Sequence, residues 1–181
     1  MPDRLGPQFA VTIPECGREW MMRNLFDWKE SWNIGVGWMD DAHLQLAHGL
    51  AGLFQQYTEE GASFPPERMA DYCDCLLEQA KVHFRDEEEW MEFLNYPGLR
   101  SHLREHSMLL AELKYYIKEI KCGGNGISLE VLMALKGWLV THVTESDREF
   151  VHFLKQHDLF DSRLMEEHRS PCAEAPFAEG S

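Results

Sequence analysis

Nine histidines in 181 residues are more than a small helical domain needs, and seven side chains have the types and spacings of a metal site. His83 and Glu87 stand four apart, as do His102 and His106. Four residues along an α-helix return to within about 40° of the same face, one turn on. Two donors placed so can share one ion, or one can hold an ion while the other reaches a second. His142 and Asp147 stand five apart, about 140° on a regular helix. That pair needs a reaching carboxylate or a π-bulge, and π-bulges favour functional sites. His43 stands alone. Singly, each has a bland reading: His43 as an ordinary surface or core residue, Glu87 as part of the acidic run 86–89 on a solvated face. Together they are five imidazoles and two carboxylates drawn from several helices. Buried without partners such groups are costly, and as a donor set they suit a borderline transition-metal pair such as iron.

The elements that must position them are four helices. The first is expected at about 40–58, opened by Asp40 and Asp41, whose carboxylates suit a helix N-terminus. Leu46, Leu50, Leu53, Phe54 and Tyr57 make its apolar stripe. Gly61, Pro65 and Pro66 separate it from a second helix at about 66–95, which carries Met69, Tyr72, Leu76, Val82, Trp90 and Leu94 on the buried side. After Pro97 and Gly98 a third helix runs over about 99–121, with Leu103, Leu110, Leu113 and Ile117 periodic. Gly123, Gly124 and Gly126 end it. Ser128 caps a fourth that reaches about Gln156. Short connections predict an all-α, antiparallel, up-down-up-down four-helix bundle. Ahead of it, Trp28, Trp32, Ile34, Val36 and Trp38 near Gly35 and Gly37 read as an extended N-terminal arm packing aromatics onto the bundle. The domain is expected over 25–160. Residues 1–24 form an extension, and the acidic segment 161–181 is expected to be disordered.

Composition narrows the function classes. With 17 Lys+Arg against 31 Asp+Glu, the formal charge is −14. Such a surface repels phosphate backbones and anionic lipid, so neither nucleic acid nor a membrane surface is an expected partner. No run approaches the apolar length of a membrane span, and Phe9 to Ile13 is too short for a signal-peptide core. Five cysteines without a C-x-x-C pair suggest neither a disulfide framework nor a thiolate zinc site. The expected location is the cytoplasm.

The ligand pattern resembles the hemerythrin family over about residues 25–157. The resemblance rests on Trp28, Val36, Asp40-x-x-His43, His83-Phe84-x-x-Glu87, Tyr96-Pro97, His102-x-x-x-His106, and Trp138-Leu139-x-x-His142-x-x-x-x-Asp147. Ala42 departs from it, standing where the family usually has Gln. The resemblance implies two non-haem iron ions with an oxo or hydroxo bridge. His102, His106 and His142 would cap one iron, His43 and His83 would hold the other with one position open, and Glu87 and Asp147 would bridge both. Dioxygen is the implied partner, bound reversibly at the open iron, with Phe84, Trp138 and Leu139 as the wall of its pocket. The implied role is an oxygen carrier or store rather than an enzyme. A protein partner could dock through residues 1–24 or the acidic tail.

Three other readings compete. A ferritin-like di-iron oxidase or peroxidase needs two E-x-x-H motifs, whereas Glu149 and His152 form a single one; weak peroxidase or nitric-oxide chemistry at the open iron stays an alternative that the resemblance allows. An oxygen or redox sensor module would need a signalling partner, and no second domain to signal through is expected here. A mononuclear zinc site on His102, His106 and His142 leaves His43, His83 and both carboxylates unexplained.

Overall fold

The structure is a computed structural model that describes residues 27–60, 65–122 and 128–160. The expectations for residues 1–24, for Gly61, for the glycines at 123–126 and for the tail 161–181 lie outside the described residues.

All regular structure among the described residues is helical. A 3₁₀ turn, Glu30–Trp32, precedes α1 (Gly37–Glu60), α2 (Pro66–Phe93), α3 (Leu99–Lys121) and α4 (Leu129–His142). A π turn, Val143–Asp147, leads directly from α4 into α5 (Arg148–Gln156), so 129–156 forms the fourth rod of the bundle. Helix α1 packs on α2, α2 on α3, and α1 on α4. His43 early in α1 meets His83 and Glu87 late in α2, and these meet His102 and His106 early in α3. Neighbouring helices are therefore antiparallel, as the short connections require.

Sequence chemistry explains the ends. Pro66 stands at the first position of α2, where its missing N–H costs nothing. Ser128 caps α4 by accepting from the Val131 N–H at 3.4 Å. Helix α1 begins at Gly37, earlier than expected, so Trp38 belongs to the helix and the arm is shorter than the sequence suggested. Gly35 adopts φ +89°, a conformation suited to glycine. The Asp40 carboxylate then accepts from the Ile34 and Gly35 N–H groups at 2.8 and 2.9 Å, tying the arm to the first turn of α1.

The core holds the expected stripe of Leu46, Leu50, Leu53 and Phe54 on α1. It continues through Leu76 and Met91 on α2 and Leu132, Phe150 and Leu154 on the fourth rod. One stripe needs correction. On α3 the inward face runs His102, His106, Leu109, Leu113, Ile117 and Ile120. Leu103 lies off that face and is 36% exposed. Two histidines occupy inward positions that a simple core would give to apolar residues, and that substitution prepares the site.

Candidate metal centre

Each of the four rods delivers ligand-type side chains to one buried level. His43, His83, Glu87, His102, His106, His142 and Asp147 are all buried to 3% exposure or less. The lone His43 and the three spaced pairs thus converge, including the pair five apart. The π turn is what rescues that pair: with i→i+5 bonding, residues five apart stack as residues four apart do in an α-helix. His48, His152 and His157 are exposed and take no part, and His168 lies outside the described residues.

The seven fall into two overlapping groups. Donor atoms of Glu87, His102, His106, His142 and Asp147 lie within 4.8 Å of one another, and so do those of His43, His83, Glu87 and Asp147. The carboxylates divide their oxygens between these groups. Glu87 Oε1 is 3.2 Å from His83 Nε2 and 3.6 Å from His43 Nε2, while its Oε2 is 3.3 Å from His106 Nε2 and 3.7 Å from His102 Nε2. Asp147 Oδ2 is 3.2 Å from His43 Nε2, while its Oδ1 is 3.2 Å from the Nε2 atoms of both His102 and His142. Two carboxylates therefore stand between a two-histidine pocket and a three-histidine pocket, one oxygen of each turned to either side.

The donor set fits cations. Both oxygens of Glu87 and of Asp147, with the Nε2 atoms of His43, His83 and His102, are buried without a hydrogen-bond partner among the described residues, an arrangement that is expensive unless something else satisfies them. His106 and His142 sharpen the point. Their Nε2 atoms face each other at 3.0 Å, while their Nδ1 atoms donate to Glu88 and Glu105 at 2.8 and 3.1 Å. A neutral ring that donates through Nδ1 carries a lone pair on Nε2. Two lone pairs so placed repel unless a proton or a metal cation lies between them.

Without metal, protons balance the carboxylates. Burial opposes charge on His43, but Asp147 and Glu87 outweigh it and hold the imidazole up at about 9. The same opposition, won by Asp147 and Glu87, holds His102 at about 9. At His83 burial prevails and lowers the value to about 4. Burial would raise Glu87 and Asp147, yet the surrounding imidazoles keep both carboxyls well below their ordinary range. Such a core exchanges protons for metal.

The constellation has known counterparts. A family model described as the hemerythrin HHE cation binding domain matches residues 34–154. The chain belongs to the hemerythrin family. Similar hemerythrins include the bacteriohemerythrin of Clostridium acetobutylicum, 26% identical over 128 residues, which cover 70% of this chain and 99% of that protein. The bacteriohemerythrin of Stenotrophomonas maltophilia is 27% identical over 74% of this chain and 84% of its own length. The myohemerythrin of Theromyzon tessulatum is 26% identical over 69% of this chain and 90% of its own. No solved structure matches the chain.

Aromatic rings flank this hemerythrin site on both sides. Phe84 lies flat on His106, centroids 3.8 Å apart and planes 6° apart, and Trp138 stacks on His142 at 5.6 Å. Trp138 thus covers the three-histidine pocket, whereas Phe84 lies between the two, its ring also 5.7 Å from that of His83. Leu139 lines a shallow cleft with Trp28, Trp32, Ala47, Leu50 and Val140. The two-histidine pocket is flanked by Trp28, 6.1 Å from His43, and by Trp38, 6.4 Å from His83. Sequence reading placed these two tryptophans on the bundle without linking them to the site. Their spacing from His43 was the available signal.

Proposed function

We propose that this hemerythrin binds dioxygen reversibly at a non-haem di-iron centre, as an oxygen carrier or store. The observation that carries the reading is the division of Glu87 and Asp147 between unequal histidine pockets. In this reading His43 and His83 hold one iron, His102, His106 and His142 hold the other, and Glu87 and Asp147 bridge them. The iron pair would supply two electrons to dioxygen and take them back on release.

The chain's own residues do the rest. The pocket with three imidazoles would give its ion one more protein donor than the pocket with two, so the pocket with two would be the one that leaves room for a small ligand. Trp28 and Trp38 beside that pocket, and Phe84 and Trp138 beside the other, keep bulk water from the ligands. A dry shell limits proton access, and proton access is what turns reversible oxygen binding into irreversible oxidation of the metal. The histidine-rich donor set supports binding over oxygen activation, which a carboxylate-rich site would favour.

The same proposal places the protein in the cytoplasm, an environment that suits its free thiols Cys73, Cys75 and Cys122. No helix among the described residues is long and apolar enough to cross a membrane.

The test is direct. Iron is counted on the purified chain, the centre is reduced without oxygen, and oxygen is then admitted and purged with argon while absorption is recorded. Two irons per chain and a visible charge-transfer band that comes and goes with oxygen are expected. A spectrum that settles irreversibly to the ferric form on first exposure would refute the carrier reading.

A further inference from the structure

The two halves of the centre differ in more than the number of histidines. In the three-histidine pocket, His106 Nδ1 donates to Glu88 Oε1 at 2.8 Å and His142 Nδ1 donates to Glu105 Oε2 at 3.1 Å. Ser146 Oγ donates to that same Glu105 oxygen at 2.5 Å. In the two-histidine pocket, the Nδ1 atoms of His43 and His83 are buried with no hydrogen-bond partner among the described residues. Among the described residues, carboxylate support is confined to one end.

The topology of that support is regular. Glu88 is the chain neighbour of Glu87, and successive helical residues point about 100° apart. It therefore misses the centre and reaches His106 on the next helix. Glu105 is the chain neighbour of His106, and it likewise reaches His142 on the fourth rod. Each supporting carboxylate sits beside one ligand-type residue in sequence and holds another across a helix interface, so the register of α2, α3 and α4 is tied to ring orientation. Side-chain exposures of 30% for Glu88 and 45% for Glu105 leave both outside the sealed core.

We propose that Glu88 and Glu105, the latter steadied by Ser146, are positioning residues that fix His106 and His142 in the Nδ1–H tautomer and strengthen their Nε2 donors. The three-histidine half then takes metal first and releases it last. An imidazole that donates to a carboxylate is a more basic and better-oriented ligand, and loss of such a partner typically costs about 10–100-fold in metal affinity. The proposal rests on the seven-ligand reading of the centre.

The experiment is an anaerobic titration of the full, metal-free chain with cobalt(II) against a competing chelator, giving stepwise constants. Wild type is expected to bind two ions, one more tightly. Glu88→Ala and Glu105→Ala should each weaken the tight step about 10–100-fold and leave the weak step unchanged. Glu88→Gln and Glu105→Gln retain an acceptor oxygen and should recover part of the loss. Glu89→Ala, on the outer face of α2, should change neither step. An unchanged tight step in both alanine variants overturns the proposal and leaves the two-metal reading intact. Equal weakening of both steps also overturns it, since that is the mark of a loosened bundle. Fewer than two ions in wild type would bring down the two-metal reading, and this proposal with it.

Discussion

Metal uptake by this centre should be strongly proton-linked between pH 7 and 9. His43 and His102 are each held up at about 9 by Asp147 and Glu87 in the metal-free site. At pH 7 each therefore keeps its proton by about 100 to 1, and displacing it costs about 3 kcal/mol. His83, lowered to about 4 by burial, is already neutral and adds nothing. His43 belongs to one proposed pocket and His102 to the other, where His142 too is raised, against its burial, by Asp147 and Glu87. Each ion should accordingly bind about 50-fold more weakly at pH 7 than at pH 9, gaining up to about tenfold per unit and levelling off above 9. Chelator competition with cobalt(II) at closely spaced pH values measures both slopes, and an indicator dye in weak buffer counts the protons released. Affinities flat from pH 7 to 8.5 for both ions would falsify the assignment of His43 and His102 as proton-bearing ligands.

The same two groups set the stability of the metal-free bundle with the opposite sign. Their folded values lie above the ordinary 6.5, so protonation favours the fold. That contribution is complete below about pH 6.5 and disappears as pH rises through 9. His83 acts in reverse: its folded value is depressed, so its contribution holds above 6.5 and is lost as pH falls toward 4. Urea midpoints of the metal-free protein should thus decline from pH 6.5 to 9 while metal affinity climbs. Midpoints that rise through that window would contradict the account.

Four substitutions probe the remaining links. His43→Ala should reduce loading to about one ion by emptying the two-histidine pocket, while His106→Ala should impair the other, read by metal content after gel filtration; full content in both would remove these residues from the ligand set. Phe84→Ala removes a ring that is 2% exposed and stacked on His106, and should cost about 3–5 kcal/mol in urea denaturation. Gly98→Ala would place a Cβ 2.6 Å from the Tyr96 ring, itself packed on Phe150 and Phe153, and should cost about 1–3 kcal/mol; a neutral result would show that the ring can move aside.

The helices were legible because their signals are local. Pro66, the Pro97–Gly98 break and Ser128 each act on their own stretch of chain, and the ends of α2, α3 and α4 follow from them. The start of α1 was misread because Gly35 and Gly37 look alike in sequence. One takes φ +89° in the turn and the other begins the helix, a difference set by the Asp40 carboxylate folding back on the arm. Leu103 fits an apolar period just as well as its neighbours do. It was misplaced because polar residues, His102 and His106, own the inward face.

For the centre, spacing along a helix carried most of the information and contact across helices carried the rest. Four-residue spacing makes His83 and Glu87, or His102 and His106, neighbours whatever surrounds them. Five-residue spacing does so for His142 and Asp147 only because Val143–Asp147 adopts a π turn. What no period reveals is which oxygen faces which ring, or which carboxylate stands behind it. Glu88 lies in an acidic run and Glu105 follows Arg104 on α3, so each reads alone as solvated surface, and each is in fact partly solvated. Their hydrogen bonds to His106 and His142 exist only once α2, α3 and α4 lock in register. The ligand-type residues can be found one helix at a time. The asymmetry between the two pockets belongs to the assembled bundle, and the stepwise metal constants are where it becomes measurable.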